Sequence, residues 1–119
     1  MLQVGPAIKV TIYLNQDTGS ARGFLRDDIL ALLQERGFGI AGATVLTPYA
    51  GFGPHGRLHK SDEGDNAGLH LPVLIFFIDS PAKVNAILPA ILDMVTDGFV
   101  EAHPTEVLKS VVGKEKVIS

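Results

Sequence analysis

The residues best able to do chemistry in this 119-residue chain gather between positions 51 and 70. Gly51-Phe52-Gly53-Pro54-His55-Gly56 matches G-x-G-x-x-G letter for letter and follows a predicted strand. A dinucleotide fingerprint also needs a helix that opens within the motif, so that its N-terminus can hold a pyrophosphate. Residues 57–68 show no apolar helical periodicity, and the dinucleotide reading fails on that context. Two readings of the glycines stay open. They allow positive φ and bring backbone N–H groups close to an anion, with Arg57 and Lys60 as charge partners, or they are the turning points of a flexible connection. A loop of this length more often has a function than not.

Three of the four histidines, His55, His59 and His70, lie on or beside this loop with Asp62, Glu63 and Asp65. The i, i+4 spacing of His55 and His59 suits a metal only on a helix, and none is predicted there. Divalent-metal ligation, stacking on a nucleotide and simple solvation are the three readings. Asn15 and Arg22 fall at the end of the first predicted strand and the start of the first helix, the edge from which the glycine loop leaves. Arg22 either clamps a phosphate or carboxylate through a bidentate bond or pairs on the surface with Asp17 or Asp27. The sequence contains no G-x-S-x-G elbow, no G-x-x-x-x-G-K-[ST] loop and no S-x-x-K arrangement. Asp27 and Asp28 are adjacent and point apart on a helix, which suits a solvated face. Asp93 and Asp97 are four apart near the end of the second helix, where negative charge opposes the macrodipole and loosens the terminus. No catalytic residue is assigned, and the chain is read as a non-enzyme.

The elements that must position these residues come in two similar halves. Ile8, Val10, Ile12 and Leu14 alternate with Lys9, Thr11 and Tyr13, the period-two pattern of a strand with one apolar face. Leu25, Ile29, Leu32 and Leu33 then keep helical spacing, with Arg36-Gly37 as the stop. Residues 43–47 form a second strand that bends at Pro48 and Tyr49. In the second half, residues 73–78 are an apolar strand, and Ser80-Pro81 supplies an N-cap followed by proline at the first helical position. Val84, Ile87, Leu88, Ile91, Leu92 and Val95 hold helical spacing, Pro89 kinks the helix, and Gly98 stops it. Residues 99–103 form a fourth strand, and residues 107–112 an added strand or a terminal arm. Strand-helix-strand twice over is the α+β, ferredoxin-like βαββαβ (split βαβ) sandwich, with both helices on one sheet face. The other face then carries Thr11, Tyr13 and either Phe76 or Phe77, and either a subunit partner or the terminal arm covers it.

Size and composition bound this reading. At 12.7 kDa the chain is one domain, 1–119, with a core at about 8–103, a loop at 51–70 and a C-terminal arm at 104–119. A 46% hydrophobic content fills a core, and the thirteen glycines and seven prolines fall mostly between elements. The longest apolar run, residues 71–78, is far too short to cross a bilayer, and no secretory signal precedes Lys9, so a cytoplasmic location is expected. Zero cysteines exclude disulfides, thiolate metal ligation and a cysteine nucleophile. A pI near 5.7 without a basic cluster argues against nucleic acid.

Residues 9–15 (Lys-Val-Thr-Ile-Tyr-Leu-Asn), 39–45 (Gly-Ile-Ala-Gly-Ala-Thr-Val), Gly51-Phe52-Gly53 with Gly56-Arg57 and His59, Leu71-Pro72-Val73 and Asp79-Ser80-Pro81 together resemble the PII-like proteins of the DUF190 family, over about residues 8–103 in order. The resemblance implies a homotrimer whose long loop between the second and third strands is equivalent to the PII T-loop. It also implies clefts between subunits that take an adenine nucleotide (AMP, ADP or ATP), and a protein partner, transporter or enzyme, met by the loop. Gly51, Phe52 and Gly53 resemble the glycine-phenylalanine-glycine entry to that loop, which lines the cleft. Where the PII pattern continues with glutamine and lysine, this chain has Pro54, His55, Gly56 and Arg57, and Arg57 offers a nearby cation. PII proteins carry a glycine- and lysine-rich phosphate loop between the second helix and the fourth strand; here there is Thr96-Asp97-Gly98. That departure weakens triphosphate binding and leaves a mono- or diphosphate nucleotide, another anionic metabolite, or no ligand. No tyrosine lies between Gly51 and His70 to be uridylylated.

The expected function is therefore a PII-like regulator. It binds a small anionic ligand through Asn15, Arg22, Gly51, Phe52, Gly53, His55, Gly56, Arg57 and His59, requires no cofactor, and signals through the loop at 51–70. One alternative is a divalent-metal-binding trimer resembling the CutA-type proteins, motivated by the loop histidines. The other is a small enzyme with His55 or His59 as general base.

Overall fold

The computed structural model describes residues 1–53, 58–60 and 71–113. The first predicted strand is β1, Gly5–Asn15, and its alternation decides the layers. Val10, Ile12 and Leu14 point to the helices and are buried, while Lys9 and Tyr13 face the other way. Two short strands, β2 (Gly19–Ser20) and β3 (Gly23–Phe24), form a small hairpin that the sequence pattern did not announce. Helix α1, Leu25–Leu33, follows at once and buries Leu25, Ile29 and Leu33. It stops before the expected Arg36-Gly37, because the amides of Gln34, Glu35 and Phe38 turn back to Leu30, Leu32 and Glu35 and wind the chain into a turn.

Strand β4 is only Thr44–Leu46, and all three residues are exposed. A further pair, β5 (Ala50–Gly51) and β6 (His59–Lys60), brings the two ends of the 52–58 segment together, Ala50 opposite Lys60 and Gly51 opposite His59. Strand β7, Pro72–Asp79, alternates strictly, with Val73, Ile75 and Phe77 buried and Leu74, Phe76 and Ile78 half-buried on the opposite face. Phe77 thus belongs to the core and Phe76 to the outer face.

Helix α2, Pro81–Met94, starts as its sequence predicts: Pro81 is the first helical residue, and the Ser80 hydroxyl accepts from the Lys83 amide at 3.4 Å. Val84, Ile87 and Ile91 face the sheet. The helix runs through Pro89, which lies on the exposed side, where water can satisfy the Asn85 carbonyl left without its helical donor. It ends at Met94, so Asp97 lies beyond the helix and not in its last turn, contrary to the spacing argument.

Strand β8, Phe99–Val107, runs well past the short strand expected and includes Pro104. Residues 108–113 add no strand, and Leu108, Val111 and Val112 are each more than 70% exposed. The four main strands form one antiparallel sheet in the order β4-β7-β1-β8, with both helices packed on the Val10–Ile12–Leu14 face. This is the ferredoxin-like βαββαβ arrangement.

A buried carboxylate fixes the connection from α1 to β4. Asp79, 2% exposed, accepts from the amides of Ala41 (2.9 Å) and Ser80 (2.8 Å), with the Lys83 ammonium 4.0 Å away. Both hydrogen bonds are charge-assisted, which offsets the cost of burying the charge.

Candidate functional site

The register of β1 against β7 and β8 stacks side chains in rows across the outer face. Leu46, Leu74, Tyr13 and Phe99 form one row; Thr44, Phe76, Thr11 and Glu101 form the next. Thr11 is buried in the middle of the sheet, between Phe76 and Glu101. The Lys9 ammonium lies over the Phe76 ring at 4.7 Å from its centre. Tyr13 and Phe99 stack with ring centres 4.2 Å apart and planes 15° from parallel. The Tyr13 hydroxyl donates to Glu101 Oε1 at 3.3 Å. Partial desolvation, then the charge and hydrogen bond of Glu101, raise the Tyr13 hydroxyl above the usual phenol range.

At the Asn15 end of this face a cavity of about 580 Å³ opens. Strand β1 supplies Tyr13 and Asn15, the segment through β5 supplies Pro48, Gly51, Phe52 and Gly53, β7 supplies Pro72 and Leu74, the turn before β8 supplies Asp97 and Gly98, and β8 itself supplies Phe99. Two glycines make this convergence sterically feasible. Gly98 has φ +129°, and a Cβ there would overlap the Tyr13 carbonyl oxygen, so only glycine lets the turn lie against β1 and carry Asp97 and Phe99 to the cavity. A Cβ on Gly51 would come within 3.2 Å of the Pro72 ring.

Four of the nine sequence-nominated residues, Asn15, Gly51, Phe52 and Gly53, meet in this one cavity. Arg22 does not line it; the residue lies in the β2–β3 turn, where its amide donates to Ser20 Oγ at 3.3 Å. His55, Gly56 and Arg57 lie outside the described residues, as do His70, Asp62, Glu63 and Asp65. His59 is described only as the backbone partner of Gly51. Among the described residues no group of three or more metal-ligating side chains occurs. Sequence reasoning missed Tyr13, Phe99 and Asp97 as cavity residues. Strand register was the signal for the aromatic pair, since Tyr13 and Phe99 share a face only once β1 and β8 are aligned. No helix of the described residues is long and apolar enough to cross a membrane.

Solved structures resemble the chain over nearly its whole length. CPII of Thiomonas intermedia K12, a nitrogen regulatory PII-like protein bound to ADP, AMP and bicarbonate, matches with a TM-score of 0.65 and 19% identity, over 92% of this chain and 94% of that one. CPII bound to ADP and bicarbonate matches at 0.59 and 20% identity, over 92% and 95%. A Thermus thermophilus protein described as PII-like and signaling matches at 0.54 and 15% identity, over 89% and 91%. The fold is therefore that of the PII-like proteins. The model of the DUF190 family, described as uncharacterized ACR, matches residues 7–107, and the chain belongs to that family.

Proposed function

We propose that this protein is a cytoplasmic PII-like regulator that assembles as a homotrimer. It binds an adenine nucleotide or similar small anionic metabolite in the cleft between subunits and regulates a protein partner through the loop at 51–70. The observation that carries this reading is the 580 Å³ cavity. In it Gly51-Phe52-Gly53, at the entry to that loop, faces the β1 end and the Asp97-Gly98 turn. The fold is shared with CPII, whose structures hold ADP, AMP and bicarbonate. A ligand at this junction touches the base of the loop, so occupancy is transmitted as a shift in the loop conformations able to meet a partner. Arg57 supplies the cation near an anionic group, and Arg57→Ala weakens binding.

Calorimetric titration with AMP, ADP, ATP and cyclic AMP, with light scattering recording the mass, tests the proposal. Saturable binding at one site per subunit of a trimer is the expected result. No heat with any of the four on a well-folded protein overturns the nucleotide reading.

A further inference from the structure

Among the described residues, the outer face of the sheet carries two full charges, Lys9 on β1 and Glu101 on β8; β4 and β7 bring it none. His103, opposite Lys9, and Tyr13 are the other titratable side chains there. Neither charge is neutralised by a described residue of its own chain. The Lys9 ammonium turns toward β7 and lies over the Phe76 ring, 4.7 Å from its centre. Glu101 accepts from the Tyr13 hydroxyl, and the described ion pairs involve neither Lys9 nor Glu101. Strands β7 and β8 flank β1, so two strand spacings, about 10 Å, separate the cation from the carboxylate. Across that distance salt largely screens one from the other. Lys9 is half-buried beside Phe76 and Ile78, and any surface laid over it must bring an anion or bury an ammonium without a counter-ion.

We propose that the surface covering this face is a second copy of the chain, and that Lys9 of one copy pairs with Glu101 of the next, an inference that rests on the homotrimer reading above and names the contact that aligns its subunits. Charge complementarity identifies the occupant. The face holds one cation on its β7 side and one anion on its β8 side, so a face of the same kind supplies the missing partner to each. The two charges sit on different sides of the face, as a ring assembly requires where unlike patches meet at each junction.

The test is the mass and its concentration dependence, by light scattering and sedimentation, for the full chain, Lys9→Glu, Glu101→Lys and the double reversal. Working at pH 8 keeps histidine charge out of the comparison. Each single reversal sets like charges against each other at every junction and is expected to raise the concentration of half-dissociation about tenfold or more. The double reversal restores opposite charges and is expected to return within about threefold of the wild type. Tyr13→Phe removes the hydrogen bond to Glu101 but keeps its charge, and it is expected to leave the assembly unchanged. Circular dichroism checks that each variant keeps the fold. Single reversals without effect on a wild-type trimer, a double reversal as dissociated as the singles, or a Tyr13→Phe effect as large as that of Glu101→Lys each overturn the ion pair and leave the trimer standing. A wild-type protein that is monomeric at all concentrations overturns the homotrimer reading and this inference with it.

Discussion

Gly98 bears the tightest steric constraint among the described glycines. Its φ lies where side chains are strained, and the Tyr13 carbonyl fills the space a Cβ needs. Gly98→Ala should therefore lower stability by about 2 kcal/mol or more in urea unfolding. Gly42→Ala, at a position with open space and no positive φ, should stay within about 0.5 kcal/mol of the wild type. The Tyr13 hydroxyl gives a pH prediction. Its raised pKa means that the folded state holds the phenolic proton more tightly than the unfolded chain does. The associated stability is therefore full below about pH 10 and is lost as pH rises through the folded value. Tyr13→Phe should flatten the alkaline fall in melting temperature, and ultraviolet titration should find a tyrosine that ionises late. A Tyr13 that titrates like a free phenol contradicts this.

At the level of elements, the start of α2 couples two functions in three residues: Asp79 ties down the α1–β4 connection, Ser80 caps the helix and Pro81 begins it. Ser80→Ala should cost about 1 kcal/mol, the usual loss of an N-cap. Asp79→Ala should cost more, about 2–3 kcal/mol, because the Ala41 and Ser80 amides both lose a charged acceptor. Hydrogen exchange should quicken at Ala41 in Asp79→Ala and not in Ser80→Ala. The elements themselves were legible where periodicity is strong. The alternation of Ile8 to Leu14 and the helical spacing of Val84 to Ile91 each have a single structural solution. The two small hairpins were not legible, since β2, β3, β5 and β6 are two residues each and carry no period. The extra length of β8 was hidden by Pro104, which reads as a strand breaker unless the strand is at an edge. Of the site, the Gly51-Phe52-Gly53 wall was visible as a motif. The aromatic wall depends on a pairing register between strands at opposite ends of the chain, which local pattern does not encode.

At the scale of the molecule, the outer sheet face is the surface to explain. Leu46 is 50% exposed and Phe99 56% exposed, at the two ends of a row that also holds Leu74 and Tyr13. The described part of the arm, to residue 113, leaves this row uncovered: Met1, Leu2, Ser110 and Val112 border a hollow of about 410 Å³ at the Phe76–Ile78 end, away from that row. The proposed homotrimer accounts for the exposed row by setting it at the junction with neighbouring copies, where part of it is covered and part lines the cleft. Leu74→Glu should then reduce the mass measured by light scattering to that of the single chain, with the far-ultraviolet circular dichroism retained. A wild-type protein that is monomeric at all concentrations, or a Leu74→Glu variant that stays trimeric, contradicts this assignment.

The edges of the sheet bear on how such association ends. One edge is β4, with only three residues to offer, and the other is β8, which carries Glu101, His103, Pro104 and Glu106. A strand that short gives an incoming chain little to zip against, and a proline among charged side chains interrupts any backbone ladder laid along the other side. In the proposed homotrimer, copies are then expected to meet through side chains on a face, not through strands added at an edge. Edge pairing repeats without limit into a fibre, and edges this blunt close that route, so an apolar face can be carried without strand-by-strand polymerisation.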